Sequence, residues 1–170
     1  MNEYKRFSAP YDAFVHRAWK AAVLTGAEQY VLLSKDGTAA QPAWAKGQPC
    51  FFAAAAALSF DPPYSALTGT FCDAGPLPTE LTQQEFSIFL ATLAPLVPTG
   101  STLVFRYDGQ QYSYREMEQL LSSRGFLIYE HLDEEEIRDQ FLLILTTRRP
   151  FVSIRNHRYC LAVKYREIQS

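Results

Sequence analysis

Asp73, Arg106, Asp108, His131 and the tyrosines at 107, 112 and 114 are the side chains whose type and setting could do chemistry in this chain. A carboxylate at the end of a strand can hold a ligand's hydroxyls or take up a proton. Asp73 is followed by Ala74-Gly75-Pro76 and Asp108 by Gly109, so a turn is the preferred reading for both. Arg106 could pair with a substrate carboxylate or an acid at an interface; an edge or snorkelled arginine is the plainer reading. His131 follows a strand directly and could act as a base, against the simpler reading of a surface histidine. Tyr107, Tyr112 and Tyr114 could line a pocket or pack against a neighbouring subunit.

Other chemistry finds little support. The three cysteines, Cys50, Cys72 and Cys160, form no CxxC pair, and an odd number cannot complete a disulfide set. Cys50 and Cys160 lie in apolar runs and read as small buried thiols. His16, His131 and His157 are too scattered for a metal cluster, and no Ser-His-Asp or Cys-His spacing occurs. The acidic run from Asp133 to Glu136 reads as a solvated helix start favoured by the macrodipole, not as a metal site.

The chain has 170 residues, 48% of them hydrophobic and 14% aromatic, the size of one folded domain over residues 1–170. Sixteen basic residues against 18 acidic ones give a net charge of -2, which disfavours nucleic acid and anionic membranes as partners. The polar start lacks the apolar core of a signal peptide. The longest apolar run, residues 51–58, falls well short of the roughly 20 residues that span a bilayer. A cytoplasmic protein is expected.

The elements that would position these groups alternate. A helix is expected over 13–24, stopped by Gly26, and a short strand over 29–33 leading into Ser34-Lys35-Asp36-Gly37. Residues 50–54 could be a buried strand, although the alanines from 53 to 57 permit helix. A strand is expected over 67–72. Thr82 with Glu85 makes a capping box for a helix carrying Phe86, Phe89, Leu90 and Leu93 on one face. A strand over 102–107 follows, then a second capping box, Ser113 with Glu116, ahead of Met117, Leu120 and Leu121. Gly125 caps that helix. A strand over 126–129, a third capped helix from Asp133 with Glu136, Ile137 and Phe141, and a last strand over 159–165 complete the order. Residues 59–67 look too short for a further strand and its helix. Strands alternating with capped helices imply an α/β fold with a mostly parallel sheet covered on both faces.

Leu81-Thr82-Gln83-Gln84-Glu85-Phe86, followed by Leu93-Ala94-Pro95 and Gly100-Ser101-Thr102-Leu103-Val104-Phe105, resembles a helix and fifth strand of S-adenosylmethionine-dependent methyltransferases, especially the leucine carboxyl methyltransferase type. Residues 25–33 resemble that family's first strand, which runs into its glycine-rich cofactor loop. Residues 125–132 resemble its late "GF" strand, and 159–164 the antiparallel closing partner. The resemblance covers most of residues 13–166. It implies a Rossmann-like methyltransferase sandwich with an antiparallel last strand, and S-adenosylmethionine as the cofactor if one is bound.

By that resemblance, Ser34, Lys35, Asp36 and Gly37 would form the cofactor loop, and Asp73 would contact cofactor or substrate. The family pattern places glycines near Ser34 and Asp36, where this chain has none, and leaves Gly37 one position out of step. Asp36 would face the cofactor's own carboxylate unless Lys35 compensates. The presumed second strand ends in alanines, with no acid for the ribose hydroxyls. The segment before the first strand is short, where the family has a longer cover. These departures favour a degenerate, non-catalytic partner or regulatory subunit, pairing with a second methyltransferase-like chain or with itself. Arg148-Arg149-Pro150-Phe151 and the aromatic N-terminus are candidate contact surfaces. An active methyltransferase for a small carboxylate or hydroxyl substrate is the alternative.

Overall fold

One mixed sheet organises the chain. The computed structural model describes residues 10–37, 50–55, 69–140 and 157–165, with the backbone alone for residues 51, 53 and 138. In chain order the elements are α1 (Pro10–Leu24), β1 (Gln29–Ser34), β2 (Cys50–Ala54), β3 (Thr70–Gly75), α2 (Leu77–Glu80), α3 (Gln83–Leu93), a 3-10 turn (Ala94–Leu96), β4 (Thr102–Asp108), α4 (Tyr114–Ser122), β5 (Phe126–Asp133), α5 (Glu134–Gln140) and β6 (His157–Lys164). The six strands lie in the order β2-β1-β3-β4-β6-β5. The first four run parallel, and β6 is antiparallel to both β4 and β5. This is the expected α/β Rossmann-like arrangement with an antiparallel last strand.

The helices form because their ends are satisfied locally. Thr82 accepts from the Glu85 amide at 3.0 Å while Glu85 accepts from the Thr82 amide at 2.9 Å, the reciprocal pair read from sequence. Ser113 with Glu116 starts α4 in the same way, and Asp133 with Glu136 starts α5. Phe86, Phe89, Leu90 and Leu93 bury the inner stripe of α3, each contributing about 1.5–3 kcal/mol of transfer free energy. The short α2, led by Pro76 and Pro78, was not expected from the sequence.

Two apolar layers sandwich the sheet. One joins α3 and α4 to Val31, Leu33, Leu103, Phe105 and Cys160. The other joins α1 and α5 to Tyr30, Leu32, Phe71, Val104 and Tyr159. Period-two alternation divides each strand between them. Lys164 is the exception to apolar filling. It lies on the buried side of β6, 1% exposed, and donates from Nζ to the carbonyls of Ala94 and Val97, the latter at 2.7 Å. A cation is thereby set where α3 ends, the favourable end for positive charge.

Several expected boundaries move. The strand expected over 67–72 is Thr70–Gly75, because pairing with β1 and β4 carries it through Asp73. The strand expected over 126–129 continues to Asp133 along β6, with an irregularity between Ile128 and Glu130. Cys50–Ala54 is a strand despite its alanines, paired with β1. Phe141, residues 59–67 and Arg148–Phe151 lie outside the described residues. Among the described residues, no helix is long and apolar enough to cross a membrane.

Candidate functional site

The strand order reverses at β1, which has β2 on one side and β3 on the other. In open α/β sheets the crevice at such a reversal, beyond the carboxyl ends of the strands, is where ligands bind. Here that crevice is bounded by Ser34-Lys35-Asp36-Gly37 after β1, Ala54-Ala55 at the end of β2, and Asp73 to Gly75 at the end of β3.

Ser34 stands opposite Ala54 in the register. Its hydroxyl is buried and has no hydrogen-bond partner. Lys35 and Asp36 are exposed. Lys35 also lies close enough to α3 to act on Glu85, whose carboxyl is held below its ordinary value chiefly by hydrogen bonds from Thr82, with the lysine charge a smaller cause. Gly37 has φ of 80°, and a Cβ there would sit 3.5 Å from the Ala54 side chain and amide. The left-handed turn is therefore what glycine supplies at this position. Thr38 is outside the described residues.

Asp73 makes the local bond of a turn residue, to the amide two residues on, but it does more than the turn preferred from the sequence. It lies within β3, 3% exposed, on the α1 side of the sheet. Tyr11, from the first turn of α1, donates to its Oδ1 at 2.6 Å. Tyr30, from β1, donates to Oδ2 at 2.5 Å. The Gly75 amide reaches Oδ1 at 3.0 Å and the Tyr11 hydroxyl oxygen at 3.2 Å. A carboxylate offers about four acceptor positions, and three donors from three elements take up three of them here. Burial raises the Asp73 pKa, and the hydrogen bonds from Tyr11, Tyr30 and Gly75 oppose that rise. The two phenols are pushed up by burial first and by the carboxylate next. Cys50, half-buried nearby rather than fully buried, is pushed up to about 11 by the same two causes.

The remaining candidates divide between the two faces of β4. Arg106 is not on an edge strand, because β4 lies inside the sheet between β3 and β6. It is half-buried, its Cζ 5.9 Å from the Tyr11 ring centroid. Asp108 does make a turn: Oδ1 accepts from the Gln110 amide at 2.8 Å, and its carbonyl accepts from Gln111 and Tyr112. On the opposite face, Tyr107 is buried and its hydroxyl lies 2.6 Å from His131 Nε2. His131 is thus half-buried in β5 rather than a surface residue, with Tyr114 edge-on at 4.7 Å. Burial lowers its pKa, with Arg158 a second cause and Glu136 and Asp133 opposing. Tyr107 and Tyr112 meet edge to face at 6.1 Å, and Tyr114 is partly exposed.

The structure therefore brings Asp73 together with Tyr11 and Tyr30, which sequence reading missed. Their only sequence signal is a phenol inside the apolar run of β1 and another at the start of a helix. Among the described residues, no group of three or more His, Cys, Asp or Glu could hold a metal ion.

No family model matches the chain. YktD of Bacillus subtilis (strain 168), provisionally described as an S-adenosyl-L-methionine-dependent methyltransferase, is 29% identical over 89 residues, covering 36% of this chain and 29% of YktD. The chain thus spans less than a third of the curated relative it matches. Among solved structures, a Clostridium acetobutylicum S-adenosylmethionine-dependent methyltransferase superposes with a TM-score of 0.55 at 7% identity, over 92% of this chain and 91% of that one. Magnesium protoporphyrin IX methyltransferase from Synechocystis PCC 6803, with bound S-adenosylmethionine, gives 0.52 at 17% identity over 91% and 80%. The [4+2]-cyclase SpnF gives 0.56 at 14% identity over 91% and 80%. At such identities the likeness fixes the fold: an α/β Rossmann-like sheet of the methyltransferase kind.

Proposed function

We propose, from a fold shared with S-adenosylmethionine-dependent methyltransferases, that this chain is a non-catalytic member of that group, serving as a partner or regulatory subunit. The observation that carries the reading is the pairing of Ser34 with Ala54 at the mouth of the crevice. Methyl transfer needs little covalent help from the protein, since the sulfonium carries the reactive group; what the protein must do is hold it. The two strand ends that would do so offer an exposed Lys35-Asp36 step and a pair of alanines, with no carboxylate at the end of β2 for a ribose. Asp73, the nearest acid on β3, is already occupied by Tyr11, Tyr30 and the Gly75 amide. In this reading Asp73 is a structural centre rather than a cofactor contact. That one relative of this fold is named a cyclase supports separating fold from methyl transfer.

The likeness of residues 81–105 to the leucine carboxyl methyltransferase type supports a cytoplasmic partner of the same architecture, either a second methyltransferase-like chain or another copy. Isothermal titration with S-adenosylmethionine tests the reading. Silence at about 1 mM cofactor, a threshold corresponding to roughly −4.1 kcal/mol, is expected. Saturable binding near 1 μM would overturn it.

One observation favours a second reading, an active methyltransferase for a small carboxylate or hydroxyl substrate. Gly37 keeps a left-handed turn against Ala54 at the end of β1, and such a turn lets backbone approach a ligand. Saturable S-adenosylmethionine binding that is lost in Gly37→Val would support this alternative.

A further inference from the structure

Arg106 is a cation whose inner nitrogen is withdrawn from water with no hydrogen-bond partner. It lies within an interior strand, half-buried, and its Nε is buried with no hydrogen-bond partner. Among the described residues neither a hydrogen bond nor an ion pair engages its guanidinium. The Tyr11 ring lies beneath it at 5.9 Å, and the Tyr11 hydroxyl, which could have served it, is given to Asp73. Burying a donor of a charged group without a hydrogen bond is costly.

A second donor lies beside it. Arg106 faces Tyr159 in the register, so His157, two residues earlier on β6, is on the same face of the sheet, opposite Asp108. Such diagonal neighbours lie roughly 7–8 Å apart, a gap that one carboxylate can bridge. His157 Nδ1 is likewise buried without a partner. The neighbouring acids are Asp73, taken up by its three donors, Asp108, whose Oδ1 holds the Gln110 amide, and Glu134 at the start of α5. Burial and then the arginine hold the imidazole below its ordinary value, while Glu134 and Asp108 raise it. An arriving anion would act in the same direction as those two acids.

We propose that Arg106 and His157 form a receptor for a carboxylate, entering over Tyr11 at the carboxyl end of β4. The guanidinium supplies a planar fork that matches a carboxylate in two parallel hydrogen bonds, and the imidazole supplies a third donor. The carboxylate belongs either to a small molecule or to the end of a protein partner's chain. Neither source depends on whether S-adenosylmethionine binds, so this inference can fail while the functional reading stands, and the reverse.

Benzoate and benzamide are the probes, alike in shape and different in charge. Proton–nitrogen spectra of the whole chain would follow the Arg106 Nε–H and the His157 ring during titration. Saturable shifts of both with benzoate, and none with benzamide, are expected. Arg106→Gln should weaken binding at least about tenfold, and Arg106→Lys, which keeps charge but loses the fork, by an intermediate amount. If Arg106→Gln does not fold, His157→Gln provides the same comparison. Equal shifts with the two probes, no saturation with benzoate, or full binding retained in Arg106→Gln would overturn the proposal. Short peptides ending in a free carboxylate or its amide separate the sources. Tighter binding of the free-acid peptide than of benzoate assigns the receptor to a protein partner, and weaker binding assigns it to a small molecule.

Discussion

Tyr30 and Asp73, 43 residues apart in sequence, meet hydroxyl to carboxylate at 2.5 Å across adjoining parallel strands. Tyr11 closes the other oxygen from a helix 62 residues away. This junction ties α1, β1 and β3 at the point where the sheet's strand order reverses, so the helix and the two strands are joined through one polar unit.

Asp73→Ala is expected to cost about 3 kcal/mol or more, since it leaves two buried phenols and the Gly75 amide without their acceptor. Asp73→Asn, with the same shape, should cost less. Urea unfolding of the two variants checks the order; equal losses would mean that packing, not the carboxylate, holds the junction.

The same carboxyl sets a pH dependence. Its folded pKa is raised above the unfolded value, mainly by burial. The folded state therefore binds the proton more tightly, and stability from this group falls as pH rises from the ordinary carboxylate range through the raised value. Unfolding curves from pH 4 upwards, referenced to Asp73→Asn, should show wild type losing ground across that window and then levelling. A wild type gaining on the variant would contradict the assigned direction.

His131 gives the opposite slope. Burial lowers its pKa, so the unfolded chain binds the proton more readily, and stability falls as pH drops from the ordinary histidine value through the lowered one. Nuclear magnetic resonance titration of the ring should place its midpoint below about 6.5. Tyr107→Phe, which removes the hydroxyl at Nε2, is expected to cost about 1 kcal/mol.

Lys164→Met keeps the apolar stem but removes the donor to Ala94 and Val97. A loss of about 2–3 kcal/mol is expected in chemical denaturation. Gly37→Ala tests the turn after β1. The added methyl meets only ordinary contact at 3.5 Å, so the cost is that of the left-handed backbone, about 1–2 kcal/mol. Gly37→Asn should lose less, because asparagine tolerates that conformation better.

What the sequence made legible was what is settled within a few residues. The three capping pairs, Thr82 with Glu85, Ser113 with Glu116 and Asp133 with Glu136, were readable because both partners lie within one helical turn. Period-two alternation along β6 puts Lys164 on the face of Cys160 and Ala162, yet cannot show that this face is buried or that α3 ends above it. Asp73 reads as a turn residue because Gly75 and Pro76 follow it, and its bond to the Gly75 amide is local. The tyrosines 62 and 43 residues away that bury it are not legible from that rule. His131 reads as a surface residue for the same reason: nothing near it in sequence announces Tyr107.

The position of β6 between β4 and β5 has a consequence for how the chain is made. On a ribosome, residues 102–108 and 126–133 emerge well before residues 157–164, and neither strand has the other to zip against. Until the later segment arrives, β4 is hydrogen-bonded on one side only, to β3, and β5 has no strand beside it, leaving their edges open to chaperones and proteases. A stop codon anywhere upstream of His157 would cut β5 off from the sheet and leave β4 with an open edge.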